Sequence, residues 1–217
     1  MSVVFDHCRA ERIGLPESVF CESKPYEALE TLARDHAAPG TSPVLFTRLA
    51  PEVFDRFPAD VKYAYDYHPL SRTAWNAAMP QRGDGRVAVV SAGTSDGPTA
   101  WEAARTLDYL GVARTIYEDS GVAGLWRLTS RLEEINAHQA VIVVAGMDAA
   151  LASVLGGLTP LPVIAVPTPV GYGVAEGGQT ALNSMLASCA PGVCVMNIGN
   201  GYGAACAAAR IMRVRNG

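Results

Sequence analysis

Ala140-Val141-Ile142-Val143-Val144-Ala145 runs straight into Gly146-Met147-Asp148. Six apolar residues without alternation predict a strand covered on both faces, as at the centre of a parallel sheet. Open sheets of that kind bind ligands beyond the C-terminal ends of their strands. Asp148 therefore falls where a pocket is expected. It reads either as a plain helix cap or as a carboxylate made basic by burial.

The same grammar continues on both sides. Upstream, Arg86–Val90 is a strand entering SAGTSDGP (91–98), Thr99–Leu110 is a helix, and Gly111 stops it in αL geometry. Arg114–Tyr117 is a strand entering EDSGVAG (118–124), and Leu125–Ala137 is helical. Downstream, Met147–Leu155 is a helix and Pro162–Val166 a second buried strand. Gly178–Ser188 is helical, Val193–Asn197 a strand and Ala204–Val214 the last helix. About five strand–helix units predict an α/β, doubly wound parallel sheet of flavodoxin-like or Rossmann-like type over 84–217.

Residues 1–83 read differently, as a small N-terminal α/β lobe. They hold 20 of the 38 charged residues and both lysines, Lys24 and Lys62. A helix through His36 places Leu29, Leu32 and Ala33 on one face. Pro43–Thr47 is a short strand, and Pro51–Phe57 a helical turn or two. Val61, Tyr63 and Tyr65 alternate as in a half-exposed strand. MPQRGDG (79–85) is a turn-rich linker.

A net charge of −4 with no basic run argues against nucleic acid as a partner. No apolar run reaches membrane-spanning length, and the first residues lack an apolar signal core. The five cysteines, Cys8, Cys21, Cys189, Cys194 and Cys206, show no metal spacing. They read as reduced thiols of a cytoplasmic protein.

Several loops are candidates for chemistry. Ser91, Gly93, Thr94 and Ser95 offer small side chains, hydroxyls and amides to a phosphate, and Asp96 is either a proton acceptor or a cap. Gly171-Tyr172-Gly173 permits close backbone approach. Between Ile135 and Ala209 only Asp148 and Glu176 carry charge, which suggests a buried pocket. Cys189 ends a helix before Ala190-Pro191-Gly192, with no histidine nearby in sequence. Inert packing is the commoner fate of such a thiol. Cys194 and Cys206 read as core, and His7, His36, His68 and His138 as surface or capping residues. Asn200 either presents amides to a ligand or forms an αL turn. The small-sided helix AACAAAR (204–210) would suit close packing between subunits.

SAGTSDGP, DSGVAGLWRL, VVAGMDAAL, PVIAVPTPVGYG, NSMLASCAPG and NIGNGYGAA, in this order, resemble the LarB family. That family comprises the pyridinium-3,5-biscarboxylic acid mononucleotide synthases of nickel-pincer nucleotide assembly. It is related to PurE, the aminoimidazole ribonucleotide carboxylase/mutase. DHCRAERIGLPESVFCESK (6–24) resembles the family's opening, with Lys24 as its lysine.

The resemblance implies a PurE-like core and a homo-oligomer, an octamer. It implies carboxylation of the pyridinium ring of nicotinic acid adenine dinucleotide by CO2 or bicarbonate, with hydrolysis of the phosphoanhydride. Mg²⁺ would assist that hydrolysis, and no further organic cofactor is implied. Cys189 matches the cysteine that adds to the ring, and Asp148 the acid that takes the ring proton. Asp96 and Gly93–Ser95 would place CO2 or phosphate; Ser91, Gly146, Met147 and Asn200 belong to the same loops. The chain departs from the family at Trp126, where histidine is usual, and at Asp148-Ala149, where Glu-Gly is usual. It departs again at Pro169, usually serine, and Gly199, usually aspartate. Trp126 exchanges a titratable group for a stacking surface. The alternatives are a PurE-like enzyme acting on an aminoimidazole ribonucleotide and a non-catalytic nucleotide-binding subunit.

Overall fold

The structure, a computed structural model, describes residues 5–81, 83 and 85–215. Met1–Val4, and Arg82 and Asp84 of the expected linker, lie outside the described residues. The chain forms two compact units, 1–80 with Tyr109–Gly111, and 81–108 with 112–217. No helix among the described residues is long and apolar enough to cross a membrane.

The first unit contains α1 (Arg9–Ile13), β1 (Ser18–Phe20), α2 (Tyr26–Asp35), β2 (Leu45–Thr47), α3 (Pro51–Asp55), α4 (Ala59–Lys62), β3 (Asp66–His68) and β4 (Thr73–Trp75). Its sheet runs β1-β2-β4-β3, with β1 parallel to β2 and the other pairs antiparallel. As the spacing predicts, α2 buries Leu29, Leu32 and Ala33. They meet Phe46 and Tyr65, whose rings pack edge to face at 5.5 Å. The Tyr65 hydroxyl donates to the Ala33 carbonyl at 2.8 Å, so the ring's polar end is satisfied inside the core.

The strand expected over Val61–Tyr65 is a helix, α4, followed by a turn. Val61 and Tyr65 are buried and Tyr63 points out. Inside–outside–inside over five residues also fits a helical i, i+4 pair, and Pro58 starts the turn by accepting from Val61 N and Lys62 N. The short strands β1 and β4 carry no long periodic pattern, and neither is legible in the sequence.

The second unit follows with β5 (Arg86–Ser91), α5 (Gly97–Tyr109), β6 (Ala113–Tyr117), α6 (Trp126–Thr129), α7 (Leu132–Asn136), β7 (Ala140–Ala145), α8 (Ala150–Gly156), β8 (Val163–Pro167), α9 (Gln179–Leu186), β9 (Val193–Val195) and α10 (Gly201–Arg215). All pairs are parallel and the order is β6-β5-β7-β8-β9. This is the flavodoxin-like arrangement rather than the Rossmann one. The quoted hexapeptide is the central strand β7, buried at every position. Each such valine or isoleucine contributes about 1.5–3 kcal/mol through removal from water. Gly111 has the expected positive φ, 71°.

Three local expectations change. Leu125–Ala137 is two short helices broken at Ser130-Arg131. The helix expected from Met147 begins only at Ala150. Four small residues of α10 face inward: Ala204, Ala205, Ala208 and Ala209 are buried, and the helix packs on β7 and β8. Their close packing serves the chain's own sheet.

Candidate functional site

In a parallel sheet every segment that follows a strand lies at one edge, and every segment that precedes a strand lies at the other. The loops after β5, β6 and β7 gather at the C-terminal edge around a cavity of about 720 Å³. The loop after β8 contributes Val170.

The first loop turns on Asp96. Its Oδ2 accepts from Gly93 N at 2.9 Å and its Oδ1 from the Thr168 hydroxyl at 2.6 Å. The side chain is buried, at 4% exposure. Burial pushes its pKa up, and the Thr168 and backbone hydrogen bonds oppose that shift. Asp96 thus ties the loop after β5 to the loop after β8, while Thr94 and Ser95 stand exposed on the cavity wall. Ser91 does not line the cavity. It is fully buried, and its hydroxyl has no hydrogen-bond partner among the described residues.

The loop after β7 is tightly formed. A Cβ on Gly146 would lie 2.4 Å from the Val170 carbonyl oxygen, so only glycine fits. Met147 and Ala149 both adopt left-handed backbone, with φ of 55° and 53°. Between them Asp148 lines the cavity and accepts from Ala150 N at 3.3 Å. It is exposed, so the burial invoked for it from the sequence is absent. The buried carboxyl of the site is Asp96.

Arg127 is a lining residue that the loop-by-loop reading missed. It pairs with Asp119 at 2.9 Å and is the cationic side chain among the described lining residues. The signal was present, an arginine three residues past the strand-following loop 118–124. Trp126, 70% exposed, stands beside the cavity on α6 without lining it, and the Arg127 guanidinium sits 5.8 Å from its ring.

Other expected residues are not brought there. Tyr172 is exposed, and neither it, Gly171 nor Gly173 lines the cavity. Asn200 is neither a lining residue nor an αL residue: its Oδ1 caps α10 by accepting from Gly203 N at 2.8 Å, and Gly199 takes the positive φ. Lys24 is exposed in the first unit. Arg12 is held there by Asp6.

Cys189 lies at the opposite edge. The chain leaves β8 at the C-terminal edge, returns through α9, and turns at 187–192 before β9. Cys189 is exposed in that turn, within a separate depression of about 280 Å³. Two contacts fasten the turn to the far end of α8. The Ser153 and Ser188 hydroxyls are 2.7 Å apart, and a Cβ on Gly156 would meet Ala190 Cβ at 2.9 Å. Ser188 Oγ also accepts from Ala190 N at 3.2 Å.

Two further expectations fail on exposure. Cys194 is exposed, because β9 is an edge strand. The neutral stretch around Tyr172, Val174 and Leu186 is a surface, at 77%, 93% and 65% exposure, and Glu176 is exposed with it.

Against known proteins, residues 86–217 match the family described as AIR carboxylase, and residues 2–78 match the LarB/PurE-like N-terminal domain. An uncharacterized protein of Methanocaldococcus jannaschii is 43% identical over 132 residues. The aligned region is 60% of this chain and 50% of that relative, so the chain matches half of the relative's length.

Proposed function

Because the chain belongs to the AIR carboxylase family and carries a LarB/PurE-like N-terminal domain, we propose that its PurE-like carboxylase chemistry acts on a pyridinium dinucleotide of the nicotinic acid adenine dinucleotide type. The observation that carries this reading is the exposed thiol of Cys189, held in a turn fastened by Ser153 and Ser188.

A pyridinium ring is an electrophile. Addition of the Cys189 thiolate forms a C–S bond and makes the ring an enamine, whose carbon 5 is nucleophilic. Carbon 5 attacks CO2 and forms the new C–C bond. A base then removes the proton from that carbon, the C–S bond breaks, and the thiolate leaves with its electron pair as aromaticity returns. No oxidant is needed. Asp148 is the base proposed, an exposed carboxylate on the cavity wall, whereas the other exposed one, Asp119, is paired with Arg127. Arg127 would hold a phosphate or the new carboxylate. Hydrolysis of the phosphoanhydride would release AMP. No group of three or more His, Cys, Asp or Glu side chains suited to a metal occurs among the described residues. Mg²⁺ would therefore arrive on the substrate's phosphates.

Asp148 and Cys189 of one chain occupy opposite edges of one sheet. The reading therefore requires a homo-oligomer in which the thiol of one copy serves the cavity of another. The exposed apolar side chains of Tyr172, Val174 and Leu186 support such a contact.

One observation favours a second reading. The described residues lining the cavity include Asp148 and Arg127 and no cysteine, which suits a PurE-like reaction on an aminoimidazole ribonucleotide that uses no thiol. Incubation with nicotinic acid adenine dinucleotide and labelled bicarbonate, followed by mass, separates the two. Label in the pyridine and a protein adduct lost in Cys189→Ala support the first reading. Turnover of aminoimidazole ribonucleotide alone supports the second.

A further inference from the structure

We propose that Asp96 is a positioning residue: through Thr168 and Gly146 it fixes where Asp148 stands, and it does not itself act on the substrate. The inference deepens the carboxylase reading and rests on Asp148 being the base.

The described partners of Asp96 are donors from the loops around it. Gly93 N reaches Oδ2 at 2.9 Å, and the Thr168 hydroxyl reaches Oδ1 at 2.6 Å. The backbone N–H of Gly146 acts on the same carboxyl. These donors belong to the segments after β5, β8 and β7, three strands that are consecutive in the sheet. Both oxygens are taken and the side chain is almost fully covered, so it offers little to a ligand.

The route to Asp148 runs through Thr168. While its hydroxyl is held by Asp96, its backbone N donates to the Ala145 carbonyl, at the last residue of β7, at 3.0 Å. The same hydroxyl lies against the next residue: a Cβ on Gly146 would be 2.6 Å from Thr168 Oγ1. Met147 N then donates to the Val170 carbonyl at 2.8 Å. Asp148 follows, and the described contact of its side chain is Ala150 N at 3.3 Å, within its own turn. Among the described residues, no side chain from another loop holds this carboxylate. The backbone of 146–149 sets its place, and Asp96, Thr168 and Val170 hold that backbone.

The test uses Asp96→Asn and Thr168→Val in the full chain, with two readouts. The first is incorporation of labelled bicarbonate, expressed per folded chain. A base displaced by a fraction of its reach should lower kcat by about a hundredfold in Asp96→Asn. KM for the dinucleotide should stay within about twofold, because the lost effect is on the reacting step and not on binding. Thr168→Val should move kcat in the same direction by about tenfold. The second readout is amide hydrogen exchange, which needs no turnover. Exchange over 146–150 should quicken by about tenfold in both variants, while 113–117 in β6 stays as in the wild type. A raised KM with kcat kept would make Asp96 a substrate contact and overturn the proposal. Unchanged kcat per folded chain would leave Asp96 a purely structural role and overturn it too. If the wild type incorporates no label, the carboxylase reading fails by itself, and unchanged exchange over 146–150 then overturns the positioning role independently.

Discussion

The Asp148 loop and the Cys189 turn are attached to opposite ends of α8, and they are held in opposite ways. At the N-terminal end Met147 and Ala149 take left-handed backbone, and the loop is closed by the backbone of Val170 over Gly146. At the C-terminal end an ordinary turn is fastened by the Ser153–Ser188 hydroxyl pair and by close packing over Gly156. The helix between them has seven residues, about 10 Å at the usual rise. One loop is strained, as loops that place chemistry often are. The other is a light attachment that leaves its cysteine at the surface. On the proposed reading, the difference teaches that one chain would present two half-sites rather than one site.

The largest effect should come from separating those halves. Cys189→Ala and Asp148→Asn should each abolish labelled-carbon incorporation, by about a thousandfold or more. Co-assembly of the two variants should restore activity, because mixed contacts recreate one intact pairing. Failure of the mixture to recover any turnover would break the comparison.

Next in size is Gly146→Ala. Its Cβ would press on the Val170 carbonyl and the Thr168 hydroxyl, at a cost of about 3 kcal/mol in denaturant unfolding. Asp96→Asn should cost about 1–2 kcal/mol, since an amide cannot accept from both Gly93 N and Thr168. Its pH signature is distinctive. The carboxyl's pKa is raised above the ordinary 3.8, so the folded chain binds this proton more tightly than the unfolded chain does. The associated stability is fully present below pH 3.8 and is lost as pH rises through the raised value. Unfolding at a series of pH values should show that slope in the wild type and not in the asparagine variant.

Ser153→Ala tests the other end of α8. It should cost about 1 kcal/mol and change the rate at which iodoacetamide alkylates Cys189, because Ser188 loses its anchor. Smallest is Ala149→Gly. It relieves left-handed strain on the order of 1 kcal/mol, offset in part by the added entropy of the unfolded chain. A thermal scan should show a slight gain, and a clear loss would contradict the strain at that position.

The second unit was largely legible because its strands are long apolar runs whose type and order follow from composition and spacing. β7 and β8 needed no side-chain contacts to be recognised. The first unit was less so: β1 and β4 are three residues each, too short for any period to show. For the site, Asp148 and the Gly93–Asp96 loop were found because they directly follow strands. What failed was burial. Asp148 was expected inside and is outside, while His36, read as a surface or capping residue, does cap α2 but is buried there. Linear spacing locates a residue along an element but does not say which neighbours cover it. The edge position of β9, which exposes Cys194, depends on a strand order that no single segment encodes.

The hydrogen bond from Thr168 to Asp96 joins residues 72 apart in sequence. It links the construction of the cavity to the order in which the chain is made. Asp96 emerges early, yet its loop reaches its final form only after β7 and β8 have both been synthesised and paired. Closing so long a loop is slow and comes late in folding. A nascent chain halted before Val163 would have β5, β6 and β7 in hand but an unfastened loop after β5. Binding competence should therefore appear abruptly, when β8 docks, and not build up strand by strand.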